Sequence, residues 1–182
     1  GAEGLMGIMP NTAKALGVTP HELKNPDTGI RTGVDCLRRF RQGFGKITDP
    51  VEKIKFTLAA YNAGIGHIYD AQRLAEKYGK DPYVWDDNVA EYIRMKNDPE
   101  YYNDPVCKHG YLRGSETFNY VREVMERYNY YLHNRKEIKR CVLLITNGTP
   151  IAPIPSKQWY PIVYNQSDHL IFKTGYFLLS SP

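Results

Sequence analysis

The sequence lacks several features that would place it in common classes of protein. Its 182 residues include only three cysteines, widely separated and without a C-x-x-C pair, so a structural zinc site is not expected. No apolar run is long enough to cross a bilayer, and the first residues have neither the charged nor the apolar region of a signal peptide. We therefore expect a soluble globular chain without a transmembrane segment or a bound metal, whose export signal would lie upstream.

Charge of one sign is not in large excess either. The sequence has 24 Lys and Arg against 20 Asp and Glu, a formal net charge of +4. The basic runs at residues 38–41 and 135–136 are typical of solvated helix faces. Because the excess is small and no nucleic-acid-binding motif accompanies it, we expect no nucleic-acid partner.

The cysteines leave two alternatives open. In an oxidising compartment Cys36 and Cys107 would be the first pair to expect, because both lie within the predicted core domain. Free buried thiols are the other alternative.

Helical signals dominate up to about residue 137. Asp49 is expected to cap a helix that has Pro50 in its first position and Glu52 completing a capping box, and Gly64 is expected to end it. Six or so helices without strands predict an all-α core domain over residues 1–137. Three further helices are predicted to be capped by Asn11 (through Leu16), by Asp27 or Thr28, and by Ser115. Another is predicted from the spacing of Ile68, Ala71, Leu74, Ala75 and Tyr78, and a last one over Val84–Met95.

Apolar residues at three- and four-residue spacing predict the buried faces of two helices. Tyr61 and Asn62 fall in the last turn of the first of them, beside Gly64, where free backbone groups and an amide can bind a ligand. A core tyrosine and a capping asparagine are the commoner alternative. The predicted faces are Val51, Ile54, Leu58 and Tyr61, and then Phe118, Val121, Met125, Tyr128 and Leu132.

The sequence changes character beyond Arg140. Short apolar runs are separated by prolines, and helical periodicity disappears. Residues 138–182 are therefore predicted to form an irregular tail or a small β appendage, and no function is assigned to them.

Tyrosine is abundant, with 15 residues in all, of which 12 fall between Tyr61 and Tyr131. Aromatic faces stack on sugar rings, and tyrosine hydroxyls form hydrogen bonds with sugar hydroxyls, so the high tyrosine content favours a sugar or peptide ligand. Tyr120 lies one position away from the predicted stripe of its helix, about 100° from Val121. We expect Tyr120 to face a groove.

Three ordered segments resemble the motifs of one enzyme family, the family 1 lytic transglycosylases. Residues 1–13 read G-A-E-G-L-M-G-I-M-P-N-T-A, where family members carry G-A-x-G-L-M-Q-x-M-P-x-T-A, so Gly7 replaces a substrate-contacting glutamine. Residues 59–64 read A-A-Y-N-A-G and are followed by His67 and Asp70; residues 111–117 read Y-L-R-G-S-E-T and are followed by Tyr120. A membrane-bound subgroup of the family is the most similar.

The resemblance implies a lysozyme-like fold and an enzyme that cuts the peptidoglycan bond between N-acetylmuramic acid and N-acetylglucosamine. The product carries a 1,6-anhydro ring, and no cofactor is needed. A single glutamate performs both proton transfers. In the family motif that glutamate precedes G-A-x-G-L-M, so no catalytic residue is expected among residues 1–182, and the chain is expected to be a truncated domain that binds glycan.

The resemblance also implies the roles of several residues. Met6, Tyr61, Asn62 and Tyr120 are expected to contact the substrate. Gly4, Leu5, Gly64 and Glu116 are expected to support them, and Glu116 acts as a helix-end charge with an internal partner.

Two alternatives remain open, a lysozyme-type hydrolase and a non-catalytic peptidoglycan-binding module. The expected partner is the peptidoglycan glycan strand, the expected state a monomer, and the expected location the bacterial periplasm, with attachment to the outer membrane through upstream sequence.

Overall fold

A computed structural model describes residues 1–134. Within this range the chain forms seven α-helices and no β-sheet, which confirms the all-α class. The predicted tail, its boundary at residue 137, and Cys141 lie outside the described residues. The helices are α1 (Pro10–Ala15), α2 (Pro26–Gly43), α3 (Pro50–Ala63), α4 (Ile65–Lys77), α5 (Ala90–Met95), α6 (Pro99–Tyr102) and α7 (Gly114–His133), with a 3-10 turn at Glu22–Lys24.

The described residues divide into two compact units, an N-terminal unit over residues 1–36 and a helical unit over residues 37–134. The N-terminal unit has its own small apolar core of Ile8, Ala13 and Leu23, against which Met6 and Val18 pack.

The helical unit is built around α3 and α4, which pack on each other, with α7 against α3 and α5 against α7. Ile68, Ala71, Leu74 and Ala75 of α4 are fully buried as their spacing predicted, whereas Tyr78, the fifth residue of that pattern, follows the end of the helix and is 45% exposed. Edge and tilted aromatic contacts extend this core: the ring centroid of Phe56 lies 5.5 Å from those of both Phe44 and Trp85.

The start and end of α3 agree with the sequence prediction. The Asp49 carboxylate accepts hydrogen bonds from the backbone N–H groups of Val51 and Glu52, both at 2.8 Å, and Gly64 ends the helix at φ 88°. The capping-box prediction for Glu52 was wrong. Its carboxylate accepts instead from the Trp85 backbone N–H and from Lys55, because these donors compete for the same oxygens.

Three other predicted caps were wrong. Asn25 caps α2, accepting from the N–H groups two and three residues later, whereas Asp27 and Thr28 are already inside the helix. Neither α1 nor α7 has a side-chain cap, so Asn11 and Ser115 also lie inside their helices. In each case Pro or Gly takes a first helical position further upstream than the capping pattern predicted.

Tertiary packing altered further predictions. Val51 and Leu132 are exposed, at 43% and 49% of their surface, and therefore do not belong to the buried faces assigned to them. The helix predicted over Val84–Met95 begins only at Ala90, because Asp86 and Asp87 leave helical geometry and Asp87 has a φ of 57°.

Two smaller findings complete the fold. Among the described residues, Cys36 and Cys107 are not joined by a disulfide, so the first of the two alternatives for these cysteines is not formed. None of the helices described in residues 1–134 combines the length and apolarity needed to cross a membrane.

The closest backbone approach in the helical unit is at Gly114, the first residue of α7. A β-carbon placed on Gly114 would lie 1.6 Å from the carbonyl oxygen of Ile93 in α5, so only glycine fits there. Gly110, four residues earlier, has no atom within 4 Å of such a position.

We expect Gly114→Ala to lower the free energy of unfolding by about 3 kcal/mol, because α7 must move away from α5 to admit the methyl group. Guanidinium denaturation measures the change. Gly110→Ala is the matched control and should change the free energy of unfolding by less than about 0.5 kcal/mol. Equal effects of the two substitutions would contradict the close approach.

Candidate functional site

The first part of the candidate site is the loop that carries Met6. Glu3 and Ile8 exchange two backbone hydrogen bonds of 2.9 Å, which close a tight loop over the four residues between them. Within the loop Leu5 is exposed and Met6 is half-buried. The Met6 side chain packs on Gly33 of α2, where a β-carbon would lie 2.7 Å from it. The absence of a side chain at Gly33 therefore leaves the space that Met6 occupies.

Two glycines give this loop its shape. Gly4 and Gly7 have φ values of 71° and 60°, in the left-handed region that glycine adopts without steric cost. A β-carbon on Gly4 would also lie 2.5 Å from the carbonyl oxygen of Leu23. Gly4 thus allows the loop to turn close to the Leu23 backbone, and glycine suits the backbone conformation at position 7, where the family motif has glutamine.

The second part is the corner where α3 ends, which we call the Asn62 corner (Tyr61–Gly64 with Thr117). The Asn62 side-chain oxygen accepts a hydrogen bond of 2.8 Å from the Thr117 hydroxyl in the first turn of α7. Thr117 is 1% exposed, whereas Asn62 remains exposed. The amide therefore joins the end of α3 to the start of α7 while staying accessible to solvent.

Tyr120 and Glu116 lie on α7 near this corner. Tyr120 comes three residues after Thr117, a spacing that places neighbours on one side of a helix, and burial raises the pKa of its phenol. Glu116 is exposed and lies 3.5 Å from the Arg113 guanidinium, a pair within the first turn of α7.

Behind the corner, the helical unit holds a buried charge cluster centred on Asp70 of α4. Asp70 and Lys96 are both fully buried, and the Lys96 ammonium lies 2.6 Å from the Asp70 carboxylate. The same carboxylate accepts from the backbone N–H groups of Lys108 and His109, at 2.9 and 2.8 Å, and from the Arg73 guanidinium. One carboxylate therefore joins α4 to the end of α5 and to the segment before α7.

These contacts determine the charge state of Asp70. Burial by itself would raise the pKa of the carboxyl group, but the hydrogen bonds from Lys108 N–H, the Lys96 ammonium and His109 N–H outweigh it. The pKa of Asp70 falls to about 2, so the group is ionised at neutral pH. Arg73 holds the same segment at a further point, through its Nε–H to the Val106 carbonyl at 2.6 Å.

Two histidines, His67 of α4 and His109, contact each other beside the charge cluster. The rings of His67 and His109 have centroids 5.7 Å apart, and a β-carbon on Gly66 would lie 2.4 Å from His109. Burial, then the positive charges of Lys96 and His109, lower the pKa of His67, which is therefore neutral at pH 7. Its Nδ1 is buried without a hydrogen-bond partner among the described residues.

Sequence reasoning found Asn62 but missed Thr117, Lys96 and His109. The motifs contained Thr117 and Asp70 but suggested no role for them. The ion pair of Lys96 could not be predicted, because its partner, Asp70, lies 26 residues away in the sequence. Across residues 1–134, no group of three or more His, Cys, Asp or Glu side chains is arranged to hold a metal ion.

Comparison with known proteins now adds to this geometry. Residues 1–84 match the family described as the transglycosylase SLT domain. The chain is similar to proteins called membrane-bound lytic murein transglycosylase F from three bacteria. It is 38% identical to the protein from Vibrio parahaemolyticus over 128 residues, which are 70% of this chain and 23% of the relative. It is 36% identical to the proteins from Desulfosudis oleivorans, over 129 residues (71% of this chain, 27% of the relative), and Maricaulis maris, over 126 residues (69% of this chain, 26% of the relative). It spans about a quarter of the length of these relatives.

We expect Asp70→Asn to lower the free energy of unfolding by about 3 kcal/mol or more at pH 7, because it leaves the buried Lys96 ammonium without its counter-charge. Because folding lowers the Asp70 pKa from 3.8 to about 2, its contribution is present above about pH 4 and is lost as the pH falls towards 2. The difference between the wild type and the variant should therefore shrink by about 2 kcal/mol across that window.

Urea denaturation at a series of pH values measures both effects. Asp87→Asn is the matched control, since Asp87 is exposed and asparagine tolerates its positive φ. An Asp70→Asn effect as small as that of Asp87→Asn, or one independent of pH, would contradict the cluster.

Proposed function

Because residues 1–84 belong to the transglycosylase SLT domain family, we propose that the protein carrying this chain is a peptidoglycan lytic transglycosylase that acts in cell-wall turnover. It cleaves the β-1,4 bond between N-acetylmuramic acid and N-acetylglucosamine and leaves a 1,6-anhydro ring on the muramic acid. The observation that carries the proposal is that the family match includes both the residue 1–13 motif and the A-A-Y-N-A-G motif of the Asn62 corner.

The proposed chemistry needs one carboxyl group and no cofactor. As an acid, a glutamate gives its proton to the glycosidic oxygen, and N-acetylglucosamine leaves as the alcohol. As a carboxylate, it then takes the proton of the muramoyl C6 hydroxyl while O6 attacks C1 and closes the anhydro ring. No water is consumed, so a second carboxylate to activate water is unnecessary.

We place this glutamate upstream of Gly1, where the family motif has it. Three acidic residues of the chain, Glu3, Asp70 and Glu116, lie in the motifs, and none suits the role, because a general acid at neutral pH needs an environment that raises its pKa. The pKa of Asp70 is instead lowered to about 2. Glu116 is exposed and paired with Arg113. Glu3 is half-exposed. Residues 1–182 by themselves are therefore proposed to bind glycan without cleaving it.

The binding roles follow from chemistry that suits a sugar polymer. Asn62 and Tyr120 offer an amide and a phenol to sugar hydroxyl and acetamido groups. Because burial raises the pKa of Tyr120, its hydroxyl stays protonated and can donate a hydrogen bond. Tyr61 approaches the catalytic acid, and Met6 lines the saccharide site from the residue 1–9 loop.

We also infer a monomeric, periplasmic protein attached to the outer membrane through sequence upstream of residue 1, since its relatives are named membrane-bound.

Mass spectrometry of the products released from purified peptidoglycan tests the proposed reaction. We expect 1,6-anhydromuropeptides from a chain extended upstream to include the glutamate, and none from residues 1–182. Replacing that glutamate by glutamine in the extended chain is the control and should abolish the product. Reducing-end muropeptides would indicate a lysozyme-type hydrolase instead. No product from the extended chain, with glycan binding retained, would indicate a binding module.

A second prediction concerns Asn62 and Thr117 in the extended chain. If the amide acts only by joining α3 to α7, Asn62→Ala and Thr117→Val should lower kcat/KM equally, and the double variant should be no worse than either. We expect instead that Asn62→Ala is worse by about tenfold, because the exposed amide also contacts substrate. Asn119→Ala, on the exposed side of α7, is the control and should leave kcat/KM unchanged. Equal effects of the two single variants would contradict the substrate contact.

A further inference from the structure

The helical unit has a pocket that the proposed reaction does not use. It has a volume of about 280 Å³ and lies between the end of α2, one face of α4 and the Pro82–Tyr83 turn. The α4 wall consists of Tyr69, Gln72, Arg73 and Glu76, which follow one another at three- and four-residue spacing and so share one side of the helix. We call it the α4 pocket, and it shares no residue with the Asn62 corner.

The floor of the α4 pocket is apolar and held in place. Phe44 and Ile47 are each 2% exposed, and the Phe44 ring contacts the edge of Tyr69 at a centroid distance of 5.9 Å. The Tyr69 hydroxyl donates to the Gly43 carbonyl at 3.1 Å, which fixes α4 against the end of α2. On the far wall the Gln72 amide donates to the Pro82 carbonyl at 2.7 Å. These contacts describe a preformed pocket.

The rim of the α4 pocket carries charges of both signs. Lys46 supplies a cation and Glu76 a carboxylate, and neither side chain has a hydrogen bond or ion pair with any described residue. The Arg73 guanidinium is already bonded to Asp70 and to the Val106 carbonyl. Tyr83 is 40% exposed and adds an aromatic surface. Two unpaired charges of opposite sign around an apolar floor match a ligand that is itself zwitterionic.

We propose that the α4 pocket binds the peptide branch of peptidoglycan, through a segment that carries both a free carboxylate and a free ammonium group. Lys46 pairs with the carboxylate, Glu76 with the ammonium, and the floor covers the intervening aliphatic atoms. The volume is at the small end of ligand pockets, so it suits one or two amino-acid residues better than an oligosaccharide. The choice of ligand rests on the proposed function, because peptidoglycan joins such peptides to its glycan strands.

Direct binding of L-alanyl-γ-D-glutamyl-meso-diaminopimelate tests the proposal without any turnover. In nuclear magnetic resonance titrations of the ¹⁵N-labelled chain, the tripeptide should shift the amide signals of Gly43, Gln72 and Glu76 and leave that of Thr117 unmoved. A fully amidated, N-acetylated tripeptide and chitotetraose are the uncharged comparisons and should not shift these signals.

Two charge-removing variants make the test specific. Lys46→Gln and Glu76→Gln should each weaken the binding of the tripeptide about three- to fivefold, as expected for partly exposed charge pairs. Lys80→Gln, an exposed lysine outside the pocket, is the matched control and should bind normally. All of these side chains are at the surface or rim, so the variants should fold, and circular dichroism checks this.

Several results would overturn the proposal: no shifts at millimolar tripeptide, shifts confined to the Asn62 corner, binding of the uncharged peptide or chitotetraose in the pocket, or unchanged binding by both variants. The outcome is separable from that for the proposed function. Anhydro products from the extended chain, combined with no tripeptide binding, would reject the pocket alone. Tripeptide binding without anhydro products from the extended chain would reject the reaction alone.

Discussion

The ion pair between Asp70 and Lys96 is the contact on which the arrangement of the helical unit depends. Both groups are removed from water, which costs several kcal/mol for each unless the pair is close and its remaining hydrogen-bonding groups are satisfied. Here the carboxylate also accepts two backbone N–H groups and a guanidinium, and the ammonium also donates to the His109 carbonyl at 2.7 Å. The cost of burying the charges is therefore offset only when the segment that supplies Lys108 and His109 is in place.

This segment leads directly into the helix that completes the Asn62 corner. The Leu112 N–H donates to the Lys96 carbonyl at 3.1 Å, and two residues later Gly114 allows α7 to begin against the Ile93 carbonyl. Thr117, one turn further, then reaches Asn62. The buried charge cluster and the candidate site are thus consecutive points on one stretch of chain, so a change at Asp70 should reach Asn62 through the position of α7.

The features that could be predicted from sequence are those that neighbouring residues determine. Asp49 and Gly64 fix the ends of α3 through local hydrogen bonds and backbone conformation, and the spacing of apolar residues indicated α4, with four of its five predicted residues buried and Tyr78 exposed. The failures involve distant partners. Glu52 is bonded by Trp85, 33 residues away, and Asn62 by Thr117, 55 residues away. The position of Asn62 in the last turn of α3 could thus be predicted, but its partner and the charge cluster could not.

The hydrogen bond from Thr117 also bears on what Asn62 can offer a glycan. The Thr117 hydroxyl donates to the amide oxygen of Asn62, which orients the amide and uses one of the two lone pairs of its oxygen, while the NH₂ group keeps both of its donors. That group supplies two donors and no acceptor. Hydroxyl and acetamido oxygens of a glycan are acceptors, so an amide held in this orientation suits them. An unanchored asparagine could present either end, and fixing one end reduces the entropy lost when the ligand binds. The same bond that joins α3 to α7 therefore also prepares Asn62 to act as a donor.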